Sequence, residues 1–486
     1  MCRRRTRLAV PLTGGLVLLA AFVMAPDVGA APQAGPGCTS RAAVAHDGLG
    51  HRLREAGRGP VACAVQTGYQ TSETRIGIAN DGTVVQYPAL LPQEPGANVA
   101  GKAASGFASS RNGGATWQVH QVKLAATGSA HPSWTSQDVN FFVDRATGRI
   151  FASAPELLEV QPNLAYSDDG GTTWVTSRPP LGYSVENPNF LFAKPRTSKT
   201  SGYPNVVYYC ENLTPFGTSA RFCSKSLDGG NSWNTIPEQG FTGTAAGAHP
   251  ECGGSREEFS PGGEGYPVAQ PDGSLTLIVS CGGKHFMARS VDEAQTWPIV
   301  KAKNGQPLVV RHLAGRVAPI MRADSAGNLY VISQIGDKLL LSTSRDGGHT
   351  WSREHNLVPP GVRAGIWYMQ AREPGHVAVS FYAPRGEGTM VDAWLSETRN
   401  ALSGKPVFWS AMVNNPARPA LWASRGNAPW PLLDFVGVDI APDGTVWGSF
   451  IQDCGPNPGD GIACKGRPTY NNVGLVGSLR WDSVTG

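Results

Sequence analysis

Residues 343–351 read TSRDGGHTW, and variants of that string return along the chain. SDDGGTTW stands at 167–174 and SLDGGNSW at 226–233, with looser copies SRNGGATW at 110–117 and SVDEAQTW at 290–297. Their last residues, Trp117, Trp174, Trp233, Trp297 and Trp351, are spaced by 57, 59, 64 and 54 residues. A degenerate sixth copy, SETRNALSGKPVFW at 396–409, puts Trp409 58 residues further on. A period near sixty marks a repeat architecture. Within the string, the Asp346 carboxylate suits the amides of its own turn, Gly347 and Gly348 permit positive φ, and Trp351 brings a large ring to bury between sheets. Every residue is accounted for by closing a tight turn, so the strings count repeats. Calcium at Asp169, Asp228 or Asp346 is the minor alternative, because each string offers few acidic oxygens to a cation that prefers six to eight ligands. No metal and no cofactor is expected.

Ahead of each string lies a hairpin: RIGIANDGTVVQY at 75–87, NFFVDRATGRIFAS at 140–153, PVAQPDGSLTLIVS at 267–280, IMRADSAGNLYVIS at 320–333, MQAREPGHVAVSF at 369–381 and VGVDIAPDGTVWGSF at 436–450. The third repeat uses NPNFLFAKP and NVVYYC with a longer turn. Apolar, β-branched runs split by DG, TG, AG or PG read as strands. With a strand on either side of each string, a period holds four strands, which is one propeller blade. Seven hairpins predict an all-β fold with a single seven-bladed propeller; six blades is the alternative. The last hairpin is followed by NNVGLVGSLRW at 471–481 but by no string, so its fourth strand is expected from Ala62–Gln66. That strand would close the ring and protect its edges. The expected organisation is a signal peptide over 1–30, an N-terminal leader over 31–61 and the propeller over 62–486.

The targeting segment rests on Arg3, Arg4, Arg5 and Arg7 before an apolar run from Leu8 to Met24, with Val28-Gly29-Ala30 as cleavage site. Pro11, Gly14 and Gly15 interrupt that run and argue against a membrane anchor. Removing residues 1–30 lowers the formal net charge from +4 to +1. Near-balance gives no reason to expect nucleic acid or a membrane as partner. Nine cysteines less Cys2 leave eight, an even number suited to a secreted chain. Cys210 with Cys223 is the expected cross-hairpin bond and Cys454 with Cys464 a loop closure; Cys38 with Cys63 and Cys252 with Cys281 remain. A monomer is expected.

The SxDxGxTW string is the Asp-box, and its repetition over roughly 62–486 resembles the sialidase, or BNR-repeat, superfamily of β-propellers. The resemblance implies Asp-box turns at the periphery, a funnel at the opposite end of the channel and action on carbohydrate or glycoconjugate. Residues leading into the inner strands therefore matter most. They include Glu73, Arg75, Asp138, Glu186, Glu264, Arg316, Arg363 and Asp434, with Trp134, Trp367, Tyr368 and Trp430 as flat rings for a sugar face. Sialidases clamp a carboxylate with three arginines, the first in Arg-Ile-Pro, and use a Glu-activated Tyr as nucleophile with an Asp as acid/base. By that likeness Arg75 begins Arg-Ile-Gly, with Gly77 in place of Pro. Asp138 takes the acid/base place, Tyr368 that of the nucleophile with Glu264 its partner, and Arg316 with Arg363 the remaining clamp. Asp434, Trp134 and Trp367 complete the expected substrate-binding set. A sialidase-like glycosidase on an acidic or furanose sugar is the first reading. A non-catalytic carbohydrate-binding or protein-docking propeller is the second. A polysaccharide lyase using His249 and His285 is the third.

Overall fold

The computed structural model describes residues 38–54, 57–71, 73–90, 105–122, 140–154, 163–177, 185–213, 220–236, 267–281, 283–314, 319–386, 390–422, 436–453 and 472–481. All belong to one compact unit, Ala34–Gly486. They form seven antiparallel sheets arranged as a seven-bladed all-β propeller.

The inner strands of blades 1 to 7 are Arg75–Ile78, Asn140–Val143, Val185–Ala193, Val268–Ala269, Ile320–Ala323, Trp367–Ala371 and Gly437–Ile440. Each touches the next, and blade 7 touches blade 1, so the ring is closed around a channel. Every quoted hairpin is an inner strand and its neighbour. Blade 7 completes itself as expected from the sequence: Val61–Gln66 lies antiparallel to the strand Asn472–Arg480, pairing Val61 with Arg480 and Gln66 with Leu475. The leader goes further. Cys38–Ala42 adds a fifth strand to blade 7 and Val44–Asp47 a fifth to blade 6. Blade 4 has three regular strands, and single bridges from Ala288 to Ile299 and Phe286 to Val309 extend it outward.

The core is divided among the seams. Seven apolar clusters separate the blades, as where Val85, Tyr87 and Phe107 of blade 1 meet Phe141 and Ile150 of blade 2. Trp174 of the second string stacks on Phe107 of the blade before, ring centroids 4.3 Å apart. Face-to-face burial of flat sheets is what drives blades together.

The strings close the turns between third and fourth strands. In the string at 343–351, Gly348 N and Thr350 N donate to Ser344 Oγ and Asp346 Oδ1 at 2.8 Å each, Thr350 Oγ1 donates to Asp346 Oδ2 at 2.6 Å, and Trp351 Nε1 donates to Gly348 O at 2.9 Å. The Ser and Asp bonds recur around Asp169, Asp228 and Asp292, but Trp233 Nε1 donates instead to Ser177 Oγ of blade 2 at 3.0 Å. In the degenerate copy Thr398 and Asn400 take the places of Ser and Asp, 2.9 Å apart, and Asn400 Oδ1 accepts from Val407 N at 2.9 Å. The copy SVDEAQTW has Glu293 and Ala294 where Gly is usual, at φ 58° and 67°. Glu293 Oε1 accepts from the amides of Arg196, Thr197 and Ser198 at 2.9 Å each, and Oε2 takes Lys225 Nζ at 3.0 Å. That clasp to blade 3 offsets the strained backbone.

Cys210 and Cys223 are disulfide-bonded across the second and third strands of blade 3. Cys63 is also disulfide-bonded, and Cys38 stands opposite it in the ladder. Cys252, Cys454 and Cys464 lie outside the described residues.

Candidate functional site

A cavity of about 430 Å³ occupies the channel and is lined by all seven inner strands. Each inner strand but that of blade 3 ends in an equivalent turn hydrogen bond, from Ala79 N to Thr83 O, Asp144 N to Arg149 O, Gln270 N to Ser274 O, Asp324 N to Asn328 O, Arg372 N to His376 O and Ala441 N to Thr445 O. Counting back from these turns sets the depth of each side chain. Arg75 and Tyr368 stand four residues above the turn, towards the mouth. Phe142, Arg322, Gln370 and Asp439 form a layer two residues above it. Positions two and four share a strand face.

Arg322 belongs to the lower layer but sends its guanidinium upward, and Nη2 donates to Tyr368 Oη at 2.7 Å. Its Nη1 donates to Met321 O at 2.9 Å, which fixes the plane of the fork. Arg322 Cζ lies 5.1 Å from the centroid of the Tyr368 ring and Arg75 Cζ lies 5.0 Å from it. Arg75, Arg322 and Tyr368 are 6%, 8% and 7% exposed. Two guanidinium groups thus flank one buried phenol, contributed by blades 1, 5 and 6.

Glycine sets the approach of these strands. A Cβ on Gly437 would stand 2.7 Å from Ile76 N and 3.0 Å from Arg75 Cα, so only Gly lets blade 7 lie this close to Arg75. A Cβ on Gly77 would stand 2.7 Å from Phe141 Cε2. The Gly in Arg-Ile-Gly is therefore a packing requirement of the seam with blade 2. Just before Arg75, Thr74 Oγ1 is hydrogen-bonded to Ser449 Oγ and accepts from Gln86 Nε2 at 2.9 Å. Glu73 precedes it with φ 30°, a left-handed conformation that costs on the order of 1–3 kcal/mol.

The Asp-box end of the channel is barred. Arg145, from the turn of blade 2, donates through Nη2 to Asp439 Oδ1 at 3.0 Å and through Nη1 to Ala371 O at 2.7 Å. Asp439 Oδ2 accepts from Ile78 N at 2.9 Å. The other carboxylates at this end hold structure. Asp144 accepts from Tyr203 Oη at 2.6 Å and from Asn205 Nδ2, and Asp324 accepts from Tyr330 Oη at 2.5 Å and from Asn328 Nδ2. Burial, joined by those carboxylates, pushes the Tyr203 and Tyr330 phenols well above the ordinary tyrosine value.

Of the sequence candidates, Arg75 and Tyr368 come together in the channel. Trp367 turns away, as consecutive strand residues must. Its ring packs on the core between blades 5 and 6, and its Nε1 donates to Gln334 Oε1 at 3.0 Å. Arg363 is tied to Gly386 O outside the channel lining. Asp138, Glu264, Arg316, Asp434 and Trp134 lie outside the described residues, as do His249 and Trp430. His285 is fully buried in the third strand of blade 4 and bonded to Ser280 Oγ at 2.8 Å, away from the channel lining. Sequence reading passed over Arg322 and Arg145. The available signal was period two: Arg322 sits in the quoted hairpin IMRADSAGNLYVIS, inside its strand. Among the described residues no cluster of His, Cys, Asp and Glu has metal-binding geometry.

No family model matches the chain, and no curated protein matches it. Among solved structures it is similar to the α-L-arabinofuranosidase of Fusarium graminearum, at 14% identity and TM-score 0.41, covering 74% of this chain and 98% of that one. It is similar to a leech intramolecular trans-sialidase at 16% identity and TM-score 0.36, covering 79% and 65%. A xyloglucanase of Xanthomonas campestris gives 13% identity and TM-score 0.44, covering 80% and 53%. At such values the likenesses identify no activity for this chain.

Proposed function

We propose that this chain is a secreted glycoside hydrolase that works as a monomer, without cofactor or metal, on an acidic or furanose sugar held in the central channel. The observation that carries the reading is the buried group of Arg322, Tyr368 and Arg75, with Arg322 Nη2 2.7 Å from Tyr368 Oη. A buried phenol set against two fixed cations is costly as scaffolding and useful as chemistry. Guanidinium forks grip a sugar carboxylate or its hydroxyls, and the Arg322 bond holds Tyr368 Oη in place within the channel.

In this reading Tyr368 gives up its proton to Glu264 and Oη attacks the anomeric carbon, while Asp138 protonates the departing oxygen. Water then displaces the tyrosine with Asp138 as base, so configuration is retained. Export is supported by the apolar segment after Arg3–Arg7 and by the bonded Cys210–Cys223 pair.

The test is a panel of 4-methylumbelliferyl glycosides of N-acetylneuraminic acid, glucuronic acid and arabinofuranose. Release of fluorophore from one of them, with retained configuration, is expected. Binding to all or any without release over long incubation makes the channel a lectin site and overturns the reading.

A further inference from the structure

We propose that Arg145 and Asp439 form a positioning crossbar that sets the approach of Arg75 to the Tyr368 ring. Arg145 reaches across the channel from blade 2 to blade 6, where it holds Ala371 O, and to Asp439 of blade 7. Asp439 in turn holds Ile78 N of blade 1 and its own neighbour Ile440 N, at 2.9 and 2.8 Å. Ile78 and Ala371 are the feet of the strands that carry Arg75 and Tyr368. Each foot lies three residues below the group it carries, a lever of about 10 Å. One ion pair therefore fixes the two strands relative to each other from below.

Two observations separate this pair from ordinary scaffolding. Successive blades are already strapped at the periphery by arginines that donate to a carbonyl of the next blade: Arg111 to Asp169, Arg149 to Gly229, Arg196 to Val291, Arg345 to Leu402, Arg399 to Gly444 and Arg480 to Gly113. Those six straps join neighbours at every seam but that between blades 4 and 5, and all of them are independent of the crossbar. The crossbar joins blades that are not neighbours, through the channel itself. An ion pair in such a place is also a poor means of stabilisation, since apolar side chains of similar volume do as well or better. What it supplies is a fixed geometry. The inference takes Arg75 and Tyr368 to be the working groups of the site, but its principal test needs no substrate.

That test is fluorine NMR of the full chain with its 12 tyrosines replaced by 3-fluorotyrosine, Tyr368 being assigned by Tyr368→Phe. The variant is Arg145→Met with Asp439→Asn, which keeps an oxygen for the Ile78 amide and removes the tie to blade 6 without leaving a charge unpaired. The Tyr368 resonance is expected to move or broaden more than those of Tyr208 and Tyr330, with the melting temperature held within a few degrees. Arg145→Lys is the second variant, since an ammonium lacks the planar fork by which Arg145 reaches Asp439 and Ala371 O together, and it carries the test if the first does not fold. A Tyr368 resonance unmoved in both variants makes the pair scaffold only and overturns the inference. Where a substrate turns over, kcat/KM should fall on the order of 100-fold, the effect of about 1 Å of misplacement. Absence of turnover in the unaltered protein would count against the hydrolase, and the fluorine result would still decide the crossbar.

Discussion

Arg322 and Tyr368 lie on the inner strands of neighbouring blades, two strand positions apart in depth, and are joined by a 2.7 Å hydrogen bond. The offset lets one side chain from the lower layer act on another near the mouth. Since Arg75 reaches the same ring from blade 1, the phenol is held from both sides of the blade it stands on.

Gly437 should be intolerant of any side chain. Gly437→Ala drives a methyl into the backbone of Arg75 and Ile76. A loss of roughly 1–3 kcal/mol is expected from overpacking, together with weaker binding of an anionic ligand. Thermal melting and calorimetric titration with glucuronate read the two effects.

The clasp at Glu293 carries stability away from the channel. Its side chain is fully buried and that of Lys225 is 16% exposed. Glu293→Ala leaves an ammonium and three backbone amides without their acceptor. A cost of roughly 3–5 kcal/mol is expected for breaking such a pair, measured by urea unfolding. An unchanged midpoint would mean that blade 3 is held by its core alone.

Stability should fall on mild acidification. Burial holds the His46 imidazole below its ordinary value, opposed by Asp47, and burial with Arg353 does the same to His355, again opposed by Asp47. Both are neutral in the fold, so the unfolded chain takes up protons first. Their contribution is whole above about pH 6.5 and declines as pH drops towards the folded values. His46 lies in the added outer strand of blade 6, bonded to Ser410 Oγ at 2.9 Å, so that edge should loosen first. Melting temperatures from pH 7.5 to 5 should fall, and His46→Gln should flatten the slope.

A second loss should follow at lower pH. Burial pushes the Asp346 carboxyl up, but the Thr350 hydroxyl and amide and the Ser344 hydroxyl outweigh it and hold the group below the ordinary carboxylate range. Asp169, Asp228 and Asp292 are held low in the same way. Their stabilisation is present above about pH 4 and disappears as pH falls through the folded values. Thr350→Val should move the acid transition upward, which a pH-dependent unfolding curve would detect.

The blades were legible because their fasteners are local. Asp346, Gly348 and Trp351 bond within one turn, so a nine-residue string records the geometry in full. The ring closure by Val61–Gln66 followed from counting: seven hairpins and a last blade short of one strand. The site was legible where depth and sequence run together, as at Arg75 and Tyr368. It was hidden where a long side chain departs from its own layer. Arg322 climbs from inside its strand, and Arg145 enters from the Asp-box side. Neither direction is written in residue type, and both follow only from strand register. Trp367 shows the converse, since its neighbour Tyr368 already claimed the channel face.

The most direct measurement is turnover of a 4-methylumbelliferyl acidic or furanose glycoside by the unaltered chain and by Tyr368→Phe at matched folding. The account predicts hydrolysis by the first and a loss of at least about 1000-fold in the second, with the melting temperature preserved. A Tyr368→Phe variant that hydrolyses at the unaltered rate would contradict it.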